Sequence, residues 1–290
     1  MNNADEPLVS VLMTAYNREK YIAEAIESVL ASDYSNFELI IVDDASKDTT
    51  VSIAEKYRQK DSRIKVFVNE KNLRQFANRN KAISYAKGKY IMNVDSDDKI
   101  FPDGISRLVK TMESFPSSSF GMYYPFEKGK PAFELDGKAA IRKHFYEHQA
   151  LSVGPGGTIL KTDFIKKIGE YPLNYEAAGD MYFNLWACCN SSIVMLPFDF
   201  FYYRVHGEQE LNNPFSYTYT SYTYFRDAMQ NLPLGLTEKE TQWFLKKNKR
   251  RFVVNITRYF FSTFKLGNVI KMIKITGFTF NDFLQAVFQR

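Results

Sequence analysis

Three carboxylates, Asp95, Asp97 and Asp98, end a run that reads Lys-Tyr-Ile-Met-Asn-Val-Asp-Ser-Asp-Asp-Lys-Ile-Phe from Lys89 to Phe101. Carboxylates this close repel one another and raise each other's pKa unless a cation or hydrogen-bond donors offset the repulsion. Hard oxygen donors of this kind suit Mg²⁺ or Mn²⁺. Such ions bind through one or two protein carboxylates and complete their shells with water and substrate phosphates. An acidic turn is the alternative, since Asp-Ser-Asp-Asp is also good turn composition. The apolar residues in front, Tyr90 to Val94, have the length and bounds of a buried strand, so the carboxylates sit on a strand end.

The elements that must position this strand precede it. Leu8 to Ala15 is nearly continuously apolar, as expected of a strand buried on both faces. Tyr16-Asn17-Arg18 makes a turn, and Tyr21, Ile22, Ala25, Ile26, Val29 and Leu30 form a helical stripe within Glu19 to Ala31. Asn36 to Val42 predicts a second strand, running into Asp43-Asp44-Ala-Ser-Lys-Asp, and the next helix carries Val51, Ile53, Ala54 and Tyr57. Ile64 to Val68 predicts a third strand and Phe76 to Ala86 a third helix, closed by Gly88 as a C-cap. This alternation argues an α/β fold with a mainly parallel sheet flanked by helices. Ligands in such sheets sit beyond the carboxyl ends of the strands, where Thr14 to Arg18, Asp43-Asp44 and Asp95 to Asp98 would converge.

Composition bounds the remaining choices. The 290 residues are 45% hydrophobic and 16% aromatic, ample for a packed core in one large domain or a domain with an appendage. No Gly-x-Gly-x-x-Gly follows the first strand and no Gly-x-x-x-x-Gly-Lys-Ser/Thr occurs, which argues against dinucleotide and P-loop enzymes. Phosphates would then be held by a metal and by Arg or Lys. Cys188 and Cys189 are adjacent, a spacing that suits neither an ordinary disulfide nor a zinc site. The opening Met-Asn-Asn-Ala-Asp-Glu-Pro is polar and acidic, unlike a signal peptide, and no run approaches the roughly 20 apolar residues of a membrane span. The expectation is a reducing, cytoplasmic setting, with any membrane contact made from the inner face.

Four motifs stand in order: Val-Ser-Val-Leu-Met-Thr-Ala-Tyr-Asn-Arg; Phe-Glu-Leu-Ile-Ile-Val-Asp-Asp-Ala-Ser-Lys-Asp; Asn78-Arg-Asn-Lys-Ala-Ile with Ala86-Lys-Gly-Lys-Tyr-Ile; and Asp95-Ser-Asp-Asp. Over roughly residues 7 to 210 the chain resembles the family 2 glycosyltransferases of GT-A fold. The resemblance implies inverting transfer of a sugar from a nucleoside diphosphate sugar, usually a uridine one, with Mn²⁺ or Mg²⁺. It implies that Thr14, Ala15 and Tyr16 frame the uracil, with Tyr16 stacking on it and Asp44 accepting a hydrogen bond from it. Arg79 would approach the nucleotide, and Arg18 stands where the family often has an acidic residue. Asp95, with Ser96, would face the ribose and diphosphate, while Asp97 and Asp98 hold the metal. The family often has Asn-x-Gly ahead of its Ala-Arg-Asn. Here Asn72-Leu73-Arg74 lacks the glycine and Asn78 replaces the alanine.

A leaving diphosphate develops negative charge that a cation stabilises, and the acceptor hydroxyl needs a base, normally a carboxylate. In the family that base lies in a Glu-Asp pair after a Gly-rich acceptor segment. Gly156 and Gly157 mark that segment here, and Asp180 matches the base, with Gly179 in place of the Glu and Glu176 as the fallback. A helix N-cap is the alternative role for Asp180, since Asp favours that position, but the upstream match favours the base. Tyr203-Arg204-Val-His206 resembles a family segment whose His closes the metal site or contacts the diphosphate, although a lone His is more often structural. Trp186 is a candidate for stacking on an acceptor sugar, or a core residue. The Gln-x-x-Arg-Trp motif of processive synthases is missing, so single-sugar addition to a polysaccharide or lipid-linked acceptor is expected.

A catalytic domain over 1–215 and a helical extension over 216–290 are expected, joined through the Tyr- and Thr-rich stretch Ser216 to Phe225. From Lys246 onward, Lys246, Lys247, Lys249, Arg250, Arg251, Arg258, Lys265, Lys271, Lys274 and Arg290 are opposed only by Asp282, and apolar residues interleave with them. That pattern suits helices lying on an anionic membrane surface, or a helical appendage packed on the catalytic domain or on a second copy in a homo-oligomer. Nucleic acid is not an expected partner. Two rivals to transfer remain. One is a catalytically inactive nucleotide-binding scaffold, suggested by Gly179. The other is a phosphohydrolase of haloacid dehalogenase type, suggested by Asp95-x-Asp97 after a strand, although Asp98-Lys99 departs from that pattern.

Overall fold

The computed structural model describes residues 6–207 and 213–288 and divides into two compact units. The first comprises Met1–Tyr171 and Asn190–Arg204, and the second Pro172–Cys189 and Val205–Arg290. Most of the polar opening stretch (1–5) and Arg290 of the basic tail lie outside the described residues.

The first unit begins as its hydrophobic pattern dictates. Strands β1 (Val9–Ala15), β2 (Phe37–Asp43), β3 (Ile64–Val68) and β4 (Tyr90–Asn93) alternate with helices α1 (Ile22–Leu30), α2 (Thr50–Arg58) and α3 (Gln75–Tyr85). Every residue of β2 is buried, and α1 buries Ile22, Ala25, Ile26 and Val29, four of the six stripe positions. β1 pairs in parallel with β2 and β4, and β2 in parallel with β3, so their carboxyl ends share one edge. The chain continues through β5 (Lys99–Ile100), α4 (Gly104–Glu113), β6 (Phe120–Tyr123), β7 (Phe133–Leu135), α5 (Gly137–Tyr146), β8 (Thr158–Lys161), α6 (Thr162–Ile168), β9 (Ile193–Leu196) and β10 (Phe201–Tyr202). The eight-stranded sheet has the order β3-β2-β1-β4-β8-β6-β9-β7, and β5 pairs with β10 separately. β8 runs antiparallel to β4 and β6, which makes the sheet mixed but mainly parallel.

Gly88 does not cap α3. That helix ends at Ala86 in extended conformation, and a Cβ at Gly88 would lie 2.6 Å from the Leu8 carbonyl oxygen and 2.6 Å from the Ser10 nitrogen. The glycine is there because the backbone passes against β1. Beside it, Glu38 on β2 gathers three segments. Ser10 Oγ donates to it at 2.6 Å, the Lys87 N–H at 2.8 Å and Lys65 Nζ at 2.5 Å. Burial pushes the Glu38 carboxyl up, but these donors outweigh it and hold the group below its ordinary value.

The second unit is helical among its described residues: α7 (Gly179–Asn190), α8 (Pro214–Asn231), α9 (Glu238–Thr263), α10 (Leu266–Thr276) and α11 (Phe280–Phe288). The boundary expected between 215 and 216 falls inside α8, because the stretch read as a connection is helical. Tyr and Thr are indifferent helix formers, and tertiary packing overrides them. Ser216, Thr220 and Tyr222 are buried, and the Thr220 hydroxyl donates to the Ser216 carbonyl at 2.8 Å. The start was encoded nonetheless, since Asn213 accepts from the Ser216 N–H and Pro214 takes the first turn. Thr237 and Glu240 form a reciprocal capping box on α9. Tyr222, Phe252, Ile256, Tyr259, Met272 and Phe278 make the aromatic core. Phe261, Phe264, Phe280 and Phe288 remain exposed. No described helix is long and apolar enough to cross a membrane.

The Glu38 junction makes a stability prediction. A carboxyl depressed by folding contributes stability above its unfolded pKa and loses it as the pH falls through the folded value. Glu38→Gln should cost about 1–3 kcal/mol at pH 7 and progressively less below about pH 4. Urea denaturation at both pH values checks this, and a pH-independent cost would contradict it.

Candidate functional site

Parallel pairing places the turns after β1, β2 and β4 along one edge of the first unit, with Ala15 opposite Asp43 in the register. The carboxylates there are offset by arginines. Arg79, reaching from α3, donates Nη2 to Asp95 Oδ1 at 2.5 Å and Nη1 to Asn93 Oδ1 at 3.2 Å. Arg18, in the turn after β1, donates Nε to Asp97 Oδ2 at 3.1 Å. Asp98 accepts the Arg204 N–H at 2.9 Å, and Arg204 also donates Nε to the Asp97 carbonyl at 3.0 Å and Nη2 to Glu24 at 2.8 Å. Burial, followed by the Asp95 charge, pushes the Asp98 carboxyl up to about 7, although the Arg204 N–H and Arg79 act the other way. The run is also a turn, closed by the Asp98 N–H to the Asp95 carbonyl at 2.9 Å. Turn and carboxylate cluster are therefore the same segment.

The neighbouring turns are tied together. Ser96 Oγ donates to the Thr14 carbonyl at 2.8 Å, and the Asp44 N–H donates to the Ala15 carbonyl at 2.8 Å. Tyr16 is 44% exposed at this edge. Asp44 is buried and already well supplied with donors. Asn69 Nδ2 and the Leu73 N–H reach its Oδ1, each at 2.8 Å, and the Arg74 N–H reaches Oδ2 at 2.9 Å. Asn78 continues the network to Asn69 and to the Val42 carbonyl. Asp44 thus fixes the loop before α3 as well as facing the edge.

Gly156 belongs to the same place: a Cβ there would lie 3.9 Å from the Asn93 carbonyl oxygen and 4.0 Å from Asp98 Oδ2. Gly157 has a packing reason, since a Cβ would overlap Val153 Cγ1. No group of three or more His, Cys, Asp or Glu with metal-binding geometry occurs among the described residues. The donor set therefore does not fit an all-protein cage. It does fit a divalent cation held through one or two carboxylates and completed by phosphate oxygens and water, and the raised Asp98 carboxyl marks charge that a cation would offset.

Asp180, Glu176, Trp186 and His206 belong to the second unit. Asp180 lies buried in the first turn of α7 and accepts the Met181 N–H at 2.8 Å; its charge adds to burial in raising the Tyr217 hydroxyl of α8. It is inside the helix rather than at its N-cap, because a 3₁₀ turn over Glu176–Ala178 leads straight into α7. Glu176 accepts the Tyr219 and Ser216 hydroxyls of α8. Trp186 and His206 are half-buried. Sequence reasoning passed over Arg204, although it stands inside a segment singled out for its histidine. It also passed over Asn69, Asn93 and Glu24, for which no motif gives a signal.

Arg74 occupies the position where the family often has glycine, and its backbone keeps a glycine conformation, with φ 72° and ψ 168°. Non-glycine residues held there carry about 1–3 kcal/mol of strain. Its N–H contacts with Asp44 and Asn72 are backbone interactions and survive substitution. Arg74→Gly should raise the unfolding free energy by about 1 kcal/mol after the extra chain entropy of glycine is deducted. Chemical denaturation tests this, and a loss of stability would mean that the side chain outweighs the strain.

The model of the family described as Glycosyl transferase family 2 matches residues 10–168. An uncharacterized glycosyltransferase of Methanocaldococcus jannaschii is 36% identical over 173 residues, 57% of this chain and 59% of that protein. The putative glycosyltransferase EpsE of Bacillus subtilis is 45% identical over 108 residues, 37% of this chain and 39% of that protein. The matches thus span less than two thirds of these relatives. Among solved structures, S. aureus TarS 1-349 in complex with UDP-GlcNAc superposes with a TM-score of 0.70 at 26% identity, covering 96% of this chain and 81% of that one. Its mixed sheet and flanking helices match those described above. The chain belongs to the family 2 glycosyltransferases.

Proposed function

We propose that this protein is an inverting glycosyltransferase that moves a single sugar from a UDP-sugar to a hydroxyl of a polysaccharide or lipid-linked acceptor. The observation that carries the reading is the edge where Asp95, Asp97 and Asp98 meet Arg79, Arg18 and Arg204. Similarity to TarS, whose structure contains UDP-GlcNAc, supports a uridine donor. In this reading Tyr16 stacks on the uracil, Asp44 and the Thr14–Ala15 backbone frame it, and Asp95 with Ser96 faces the ribose. Arg79 holds Asp95 in position. Arg18 would meet the diphosphate.

Asp97, with Asp98 and His206 as further candidate ligands, would hold Mn²⁺ or Mg²⁺. A cation there would supply electrostatic stabilisation of the departing diphosphate. Asp180 is the proposed base: it takes the proton of the acceptor hydroxyl as that oxygen attacks the anomeric carbon from the face opposite the leaving group. Gly156, Gly157 and Trp186 are the proposed acceptor contacts. The exposed phenylalanines and the basic residues of α9 to α11 support contact with the inner face of the cell membrane. They also leave association between copies as a second role for that surface.

Asp97→Asn should abolish the metal dependence of UDP binding in calorimetry; unchanged metal-dependent binding removes Asp97 as the ligand. Asp180→Asn should keep UDP affinity and lower transfer by about 10²-fold or more. A variant that still transfers at the wild-type rate moves the base to Glu176. UDP binding by the wild-type protein without transfer to any acceptor would favour the inactive scaffold that Gly179 suggests.

A further inference from the structure

The second unit contains a hollow of about 660 Å³ between α8, α9 and α11, within the size range of about 300–1,000 Å³ usual for ligand pockets. Its lining is unusual for a helical unit, which ordinarily closes on apolar side chains. Tyr222 contributes an edge of the aromatic core, but most of the remaining wall is charged or amide. Three cations, Arg226, Lys246 and Lys249, line it against a single carboxylate, Asp282.

Lys249 and Arg226 are held in place by hydrogen bonds. Lys249 Nζ donates to Asp282 Oδ1 at 2.8 Å and to Gln285 Oε1 at 2.6 Å. Arg226 Nη1 donates to the Thr276 carbonyl at 2.6 Å, and its Nε to Asp227 Oδ1 at 2.8 Å. Fixed cations have little conformational entropy left to lose on binding. Gln242 and Gln285 add amides that can serve hydroxyl groups as donors or acceptors. None of these side chains is used in the chemistry proposed above.

We propose that this hollow binds an anionic saccharide, with the carboxylate or phosphate substituents of the sugar meeting Lys246, Lys249 and Arg226 and its hydroxyls meeting the glutamines. The assignment rests on the transferase reading only in taking the bound saccharide to be part of the acceptor. It gives the acceptor a second foothold, apart from the residues that handle the donor, and selects for negatively charged chains.

The test is calorimetric titration of the full chain with a linear oligogalacturonate and with a neutral maltooligosaccharide of the same length. The oligogalacturonate should bind and the neutral oligomer should bind at least about tenfold more weakly. Lys246→Glu should weaken oligogalacturonate binding by about tenfold or more, the scale of losing a charge-assisted hydrogen bond. Lys247→Glu carries the same change in net charge on a neighbouring exposed residue outside the lining and should stay within about twofold. A Lys246→Gln variant serves if the reversal lowers the melting temperature. Equal losses in the two reversals, equal binding of the neutral oligomer, or no binding of oligogalacturonate would each overturn the proposal. UDP titration of the same samples separates the two readings. Intact UDP binding with no oligogalacturonate binding rejects the hollow alone, and absent UDP binding rejects the donor reading whatever the hollow binds.

Discussion

Negative charge crowded onto the end of one strand has to be offset, and the first unit does so with arginines from three separate segments. Arg79 comes from a helix, Arg18 from the turn after β1 and Arg204 from the chain beyond β10. Each pairing fixes the segment that supplies it, so the loops at the carboxyl edge are organised by the charges they surround. The compensation is incomplete at Asp98, which is buried, lies near two other carboxylates and receives a backbone N–H rather than a guanidinium. In the proposed reading, the ligand that meets these charges brings its own cation and its own anion, as a metal-bound diphosphate does.

The sheet makes this arrangement possible. Parallel pairing of β1, β2, β3 and β4 brings four strand ends to one edge, and antiparallel β8 delivers Gly156 to the same place from the other direction. Buried polar contacts, rather than apolar packing, hold the turns in register. Ser96 to Thr14, Asp44 to Ala15 and the Asp44–Asn69–Asn78 network join segments distant in sequence. At the opposite ends of the strands, the Glu38 junction does the same for β1, β2 and β3.

Much of this was legible in the sequence because it follows from local rules. Apolar runs and helical stripes located the first four strands and three helices, and the acidic run after Val94 identified the edge. What stayed hidden depends on contacts between distant segments. Gly88 reads as a helix cap, yet it is required by the approach of β1. Ser216 to Phe225 reads as a connection because its Thr and Tyr are indifferent helix formers, while packing and the Asn213-Pro214 start make it a helix. Arg204 was overshadowed by His206, since nothing local shows that the Arg204 N–H meets Asp98. Arg74 was half legible: its departure from glycine was plain, but its retention of a glycine backbone needed the structure.

The most direct test of the central claim is calorimetric titration of the full chain with UDP, with and without Mn²⁺, against GDP and dTDP. The account predicts UDP-selective binding that strengthens with the metal. Equal affinity for all three nucleotides, or no binding to any of them, would contradict it, leaving a transferase fold whose crowded carboxylates serve something other than a uridine diphosphate.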